Sequence, residues 1–208
     1  MRPRAREAAL SLPRMADTPL VRAWRDLEQL LNSRGVEWAL HYAPADLAWE
    51  RAPKWASSID AFLPADYRAF VAAVGYPMLG FSLYCDAAWS FLPPNPRAFF
   101  ATQVFDRDGN EPDKRPFAVL FAAFHDLADI TGYGFVPDSK GAEPIVWVVE
   151  DAMPRKKLAP FTPWMLGELK RIGKHVAGLT PEAIAGLLAE QDGKPEPDPH
   201  RLIDYSEA

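Results

Sequence analysis

Apolar residues recur at helical spacing near both ends of the chain. In DTPLVRAWRDLEQLLNSRG, Thr18 is a candidate N-cap, Pro19 fits the first helical position, and Gly35 ends the pattern. The same spacing predicts a helix in FLPADYRAFVAAVG, ended by Gly75, and two more in FTPWMLGELKRIGKHV and LTPEAIAGLLAEQDG, whose Thr-Pro pairs give the candidate caps Thr162 and Thr180. The segment between the first two helices is irregular, and we expect a loop there with one short helix near residues 45–51.

The middle of the chain changes to short runs rich in aromatic and β-branched residues, which are typical of strands. Pro, Gly, Asn and Asp separate the runs MLGFSLYC, AFFATQVFD, FAVLFAAF, GYGFVPD and PIVWVV. We expect the continuous apolar runs at 117–124 and 145–149 in the sheet centre, and a hairpin turn at Asp108-Gly109. Helices, then strands, then helices predict an α+β fold with a mixed, antiparallel-dominated central sheet flanked by N- and C-terminal helices.

The chain of 208 residues suits one domain. We predict a flexible basic N-terminal arm at 1–17, a single α+β domain at 18–191 and a polar C-terminal tail at 192–208. Four arginines against one glutamate make the first 14 residues basic, so the remainder is more acidic than the net charge of -5. This acidity argues against nucleic-acid binding and favours a basic partner, although simple solubility is the plainer explanation.

Cysteine content and hydropathy indicate the cellular compartment of the protein. Cys85 is the only cysteine, so no intrachain disulfide can form and a reducing compartment is the simplest expectation. No apolar run reaches the roughly 18 residues of a membrane span. The Arg-rich N-terminus lacks the apolar core of a secretory signal. We therefore predict a cytoplasmic protein without a membrane partner.

Few residues suggest catalysis. The sequence has no nucleophile elbow and no glycine-rich phosphate loop, and Cys85 lies in a predicted strand, where a structural thiol is the commoner case. The segment HDLAD offers His125, Asp126 and Asp129, which resemble part of the ligand set of metal-dependent phosphohydrolases. A strand end entering a polar loop is the plainer interpretation, and a metal-dependent hydrolase stays open as an alternative.

Acidic residues flank the last predicted strand. Glu150 and Asp151 follow IVWVV, and Asp138 and Glu143 precede it. Carboxylates so placed can act as general acid and base, form a solvated rim or dock a basic partner. Because no strong catalytic constellation accompanies them, we expect no catalytic residue, no metal and no cofactor.

Four short motifs follow one another between about residues 18 and 180. They comprise Leu63, Pro64, Asp66, Tyr67 and Phe70, followed by Val71, Val74 and Gly75; then Gly132, Phe135 and Asp138; then Pro144, Ile145 and Trp147; and last Phe161, Trp164 and Met165. In this order they resemble the SUKH superfamily, whose founders include the yeast Smi and Knr cell-wall regulators. The chain departs from the family where VGYPMLGF replaces the usual asparagine-glycine pair, in the longer segment 78–116, and in the tail after residue 180. It therefore resembles a divergent member.

The resemblance implies binding and not catalysis. Many bacterial SUKH proteins look like cytoplasmic immunity proteins that bind and neutralise a cognate toxin domain, often a nuclease or a deaminase. An acidic surface suits a basic toxin, and tryptophans in Pro-flanked segments would anchor the interface. Those tryptophans are Trp38, Trp49, Trp55 and Trp89, for which a core position beneath long loops is the plainer interpretation. The predicted docking surface is Asp126, Asp129, Asp138, Glu143, Glu150 and Asp151. A generic interaction module without a toxin is the third possibility.

Overall fold

The computed structural model describes residues 18–43, 59, 62–80, 89–92, 103–108, 117–123, 132–137 and 143–191. Within these ranges the chain has the predicted α+β fold, with four helices and one sheet. The helices are α1 (Pro19–Ser33), α2 (Ala65–Val74), α3 (Phe161–Gly178) and α4 (Pro181–Gln191), and a 3₁₀ turn covers Glu37–Ala39. The strands are β1 (Leu40–Ala43), β2 (Tyr76–Leu79), β3 (Trp89–Phe91), β4 (Gln103–Phe105), β5 (Ala118–Ala123), β6 (Gly132–Pro137), β7 (Pro144–Glu150) and β8 (Met153–Lys157).

The helix ends follow the sequence signals closely. The Thr18 hydroxyl accepts a hydrogen bond from the Val21 N–H at 3.2 Å, which caps α1, and Gly35 follows it with a φ of 66°. Helix α2 begins one residue after Pro64 and is capped by Gly75. Thr180 caps α4 through the Ala183 N–H. These caps are local side-chain chemistry, so the sequence reveals them directly.

The described strands pair in the order β1-β2-β3-β5-β6-β7-β8, and each of these pairings is antiparallel. Strand β4 lies off this path and pairs with β5 next to β3, so β5 carries two short strands on one side and β6 on the other. All six residues of β5 are buried, which confirms the prediction that FAVLFAAF lies in the sheet centre. The prediction that the sheet is mixed is not met by the described strands.

The prediction that IVWVV lies in the sheet centre is wrong. Strand β7 is second from the edge, between β6 and β8, and along it buried residues alternate with half-buried ones. Strand β8 was not predicted because its sequence, MPRKK, is charged, largely exposed and without an apolar period. Strand β1 was not predicted because it is only four residues long, LHYA.

The turn between β7 and β8 has an unusual backbone. Glu150 pairs with Met153, so Asp151 and Ala152 form a two-residue loop, and both have positive φ, at 50° and 60°. Such loops favour Asn-Gly, because left-handed backbone is costly for other residues. The predicted hairpin between β4 and β5 agrees with their antiparallel pairing, although Gly109 lies outside the described residues.

Aromatic side chains fill the space between the helices and one face of the sheet. Tyr67 of α2 lies at the centre, with ring centroids 5.1 Å from Phe135 and 5.2 Å from Phe161. Phe121 stacks on Phe135 at 4.1 Å, and Trp24 of α1 meets Phe70 edge to face at 5.8 Å. The core therefore joins α1, α2 and α3 to the central strands.

One carboxylate ties α2 to α3. Asp66 Oδ2 accepts hydrogen bonds from the Thr162 N–H at 3.0 Å and the Thr162 hydroxyl at 2.6 Å, while Oδ1 accepts one from the Tyr67 N–H at 2.9 Å. Asp66 thus stands in the first turn of its own helix and caps the first turn of another. Thr162 was expected to cap α3 itself, but α3 begins one residue earlier, at Phe161.

Several sequence predictions concern segments that the structure does not describe. The arm at 1–17, the short helix near 45–51 and the tail at 192–208 lie outside the described residues. Among the helices of the described part, none is long and apolar enough to cross a membrane.

Candidate functional site

The predicted acidic docking surface is only partly described. Glu143 directly precedes β7, Glu150 ends it, and Asp151 lies in the turn that follows; Asp126, Asp129 and Asp138 lie outside the described residues. At about 3.3 Å per residue, Glu143 and Glu150 stand about 23 Å apart. The described members therefore form two groups at opposite ends of one strand. Asp151 lies 3.7 Å from Arg155 in an exposed ion pair, which contributes little to stability.

The acidity of the chain is not concentrated on the described surface. Acidic residues outnumber basic ones by only one among the described residues, so most of the net charge of -5 belongs to the rest of the chain. A total charge taken from sequence carries no information about where the charges lie. Charge complementarity must therefore be argued from local groups of side chains.

The other residues singled out from the sequence give a mixed result. Trp89 was expected in a loop-like segment, but it is a fully buried residue of β3. Trp38 packs against the core, so both agree with the plainer interpretation of these tryptophans as core residues. Trp49 and Trp55 lie outside the described residues, as does the HDLAD segment with its His125. Within the described ranges, no group of three His, Cys, Asp or Glu side chains could hold a metal ion.

A hydrogen-bonded group of side chains lies at the β1 edge of the sheet. The Tyr42 hydroxyl accepts a hydrogen bond from Trp24 Nε1–H at 3.1 Å and donates one to Glu28 Oε1. Trp24 and Glu28 are one helical turn apart on α1, so the helix presents both to the same tyrosine. Tyr42 remains 38% exposed although its hydroxyl is held from both sides. We call Trp24, Glu28 and Tyr42 the β1-edge triad.

The Tyr42 ring lies against the backbone at Gly75. Gly75 links α2 to β2 with a φ of 96°, and Tyr42 Cδ1 lies 3.6 Å from where a Gly75 Cβ would stand. Burial of the hydroxyl, with the Glu28 hydrogen bond as the next cause, raises the pKa of Tyr42 above its usual range. The hydroxyl therefore stays protonated at neutral pH and keeps donating to Glu28.

The register of β1 shows which backbone groups face away from the sheet. Gly80 N–H donates to Ala39 C=O at 2.9 Å, and the pairing continues with His41 opposite Met78 and Ala43 opposite Tyr76. In an antiparallel ladder the residues between these point their N–H and C=O outward. Leu40 and Tyr42 are those residues, and Pro77, which has no N–H, stands opposite Tyr42. The Leu40 N–H is bonded to Glu37 C=O, which leaves Leu40 C=O and both Tyr42 backbone groups on the outer edge.

The two outer strands of the sheet differ in character. Strand β8 carries Pro154, Arg155, Lys156 and Lys157, and the three basic residues are exposed. Proline and charged side chains on an edge strand discourage pairing with another chain. Strand β1, which reads LHYA, carries no proline, lysine or arginine. Of the two edges, β1 is the one without such protection.

Searches of protein-family models, of curated proteins and of solved structures each found no match for this chain. The SUKH resemblance therefore remains a hypothesis that rests on the four motifs. The described motif residues are mainly structural, because Tyr67, Phe70, Phe135 and Phe161 all pack in the aromatic core.

Proposed function

We propose that this chain is a SUKH-like immunity protein, which acts in the cytoplasm by binding and occluding a cognate toxin domain. The observation that carries the proposal is the meeting of its family-like motifs in one place. The Leu-Pro-x-Asp-Tyr helix contributes Tyr67, the Gly-x-x-Phe strand Phe135, and the last helix Phe161, with centroids 5.1–6.1 Å apart. Residues that pack around one centre act as a scaffold, so binding belongs to the surface around it.

The Asp66 contact supports the same proposal. The aspartate of the first motif caps the helix that begins with the last motif, at 2.6 Å from the Thr162 hydroxyl. The two motifs are thus one structural unit, although 96 residues separate them. Such a link explains why an aspartate stands at this place in a Leu-Pro-x-Asp-Tyr helix.

Capture followed by rescue tests the proposal. The tagged, folded chain is used to capture partners from its source organism, and the partner's C-terminal domain is then expressed in a sensitive host with and without this chain. We expect a toxic domain, restored growth on co-expression, and a stoichiometric complex on gel filtration. Growth that stays inhibited in the presence of the folded chain would refute the immunity function. A captured partner that is not toxic would favour the generic interaction module.

Charge reversal asks whether the predicted acidic residues take part. Because Glu143 lies about 23 Å from Glu150, the two ends of β7 can be tested separately. If the turn end docks a basic toxin, Glu150→Lys with Asp151→Lys weakens the complex at least tenfold, and Glu143→Lys leaves it unchanged. Unchanged affinity in the double variant would remove this turn from the docking surface. The remaining members, Asp126, Asp129 and Asp138, are reversed in the same assay.

A further inference from the structure

We propose that the open edge of β1 binds an extended segment of the partner protein, and that Glu28 and Tyr42 select a lysine or arginine in that segment. The inference names the binding mode of the proposed toxin complex and rests on that function for the partner's identity. Two features support the edge site, namely the outward-facing backbone groups of β1 and the β1-edge triad. Partner strands that add to a sheet edge gain affinity from main-chain hydrogen bonds and specificity from alternate side chains.

Three outward-facing backbone groups of β1 favour the addition of a strand. Leu40 C=O, Tyr42 N–H and Tyr42 C=O point away from β2, and no hydrogen bond to them is present in the described part of the chain. A strand beside β1 would bond to all three groups. The same addition at β8 would meet Pro154 and three consecutive exposed basic side chains. Among the described residues, one edge of the sheet is therefore ready for pairing and the other is protected.

The side chains on the α1 side of β1 favour a basic residue in the added strand. Leu40 and Tyr42 lie two residues apart, so their side chains share the sheet face that α1 covers, and a residue paired with them would point toward Glu28. Glu28 Oε1 accepts a hydrogen bond from the Tyr42 hydroxyl, and within the described ranges no hydrogen bond reaches its Oε2. A lysine or arginine there would meet a carboxylate and the partly exposed residue Tyr42, whose hydroxyl is held by Trp24.

The same chemistry argues against a second copy of this chain as the occupant. Strand β1 contains no lysine or arginine, so pairing of two β1 strands would leave both Glu28 carboxylates without a cation. The basic strand β8 of another copy carries Pro154, which cannot donate a backbone hydrogen bond. A basic extended segment of a different protein fits the edge better than either strand.

The test needs no toxin. A library of nine-residue segments is displayed on phage and selected on the folded chain, and the selected peptides are synthesised. We expect enrichment of lysine and arginine within apolar, β-prone sequences. We expect binding to fall at least tenfold with Tyr42→Pro, which removes an outward N–H, and with Glu28→Gln. The matched control Glu182→Gln, which removes an exposed carboxylate on α4, leaves binding unchanged.

A change on the peptide side covers the case in which Tyr42→Pro fails to fold. N-methylation of the central peptide amides removes their hydrogen-bond donors and leaves the protein intact, and it is expected to lower affinity at least tenfold. Equal binding of methylated and unmethylated peptides would overturn the strand-addition mode. So would a folded chain that selects no peptide, or self-association that Tyr42→Pro abolishes.

The two proposals fail separately. If peptides bind the edge as expected and the captured partner's toxicity is not relieved, the immunity function is lost and the edge site stands. If toxicity is relieved and Tyr42→Pro and Glu28→Gln rescue as well as the unchanged chain, the toxin binds elsewhere and the edge proposal fails.

Discussion

Removal of the Asp66 carboxylate should weaken the joint between α2 and α3 more than any exposed charge change would. Asp66 accepts three hydrogen bonds of 2.6–3.0 Å and stands near the positive ends of two helices. Hydrogen bonds to charged groups contribute about 1.5–3 kcal/mol each when buried, and each helix terminus adds about 0.3–1 kcal/mol. The side chain is only half-buried, so water replaces part of what Asp66→Ala removes. We expect a loss of about 2–3 kcal/mol.

The amide variant divides this loss into parts. Asp66→Asn keeps one carbonyl oxygen as an acceptor and removes the charge, so it should cost about 1 kcal/mol. Thr162→Val removes the hydroxyl donor and keeps the backbone N–H. Combined with Asp66→Ala in a double-mutant cycle, it should show a coupling of about 1 kcal/mol, because both single variants break the same 2.6 Å bond.

Urea unfolding followed by circular dichroism measures these values. The midpoint should fall while the dependence of the unfolding free energy on urea concentration stays constant. Glu143→Ala, which removes an exposed carboxylate at the start of β7, is the matched control and should change stability by less than about 0.5 kcal/mol. A loss for Asp66→Ala no larger than the control, or strict additivity with Thr162→Val, would refute the idea that this carboxylate joins the helices.

Three further outcomes are expected from the same unfolding assay. Gly132→Ala should cost about 3 kcal/mol, because its Cβ would lie 2.1 Å from the Ala122 carbonyl oxygen; a loss under about 1 kcal/mol would contradict the close approach. Ala152→Val should cost about 2 kcal/mol, because a β-branched residue does not suit a φ of 60°, and a neutral result would contradict the turn geometry. Burial raises the pKa of Tyr67 well above 10.0, its value in an unfolded chain. The stabilisation that comes from the protonated Tyr67 hydroxyl is therefore fully present below pH 10.0. Stability should then fall by about 1.4 kcal/mol per unit as the pH rises further, and Tyr67→Phe should remove that part of the slope.

The sequence predicted the elements whose signals are local. Caps at Thr18 and Thr180, the Gly75 stop and the buried strand at 117–124 are all written in neighbouring residues, and the structure confirms them. Strands β1 and β8 escaped because an edge strand needs neither length nor an apolar period. Their pairing depends on β2 and β7, which the local pattern does not reveal.

The candidate site was harder to predict than the fold. Trp24, Glu28 and Tyr42 meet only because β1 lies beside α1, and no spacing rule links residues 14 to 18 positions apart. The acidic residues chosen from sequence share a charge sign, but Glu143 and Glu150 occupy opposite ends of β7. Strand length separates them, and the strand has to be recognised as one extended unit before that distance can be known.

The packing of α1 against α3 has a consequence for how the chain is made. The first helix ends at Ser33 and its partner begins at Phe161, so the ribosome must add about 130 residues before α1 can be covered. At about 5–20 residues per second this takes about 6 to 26 s. Throughout that time the α1 side chains that lie beside α3, Leu27 and Leu30, lack their final partner, and exposed apolar surface of this kind is what chaperones bind. The completed fold, and any function that depends on it, therefore appears only after the last helices have emerged.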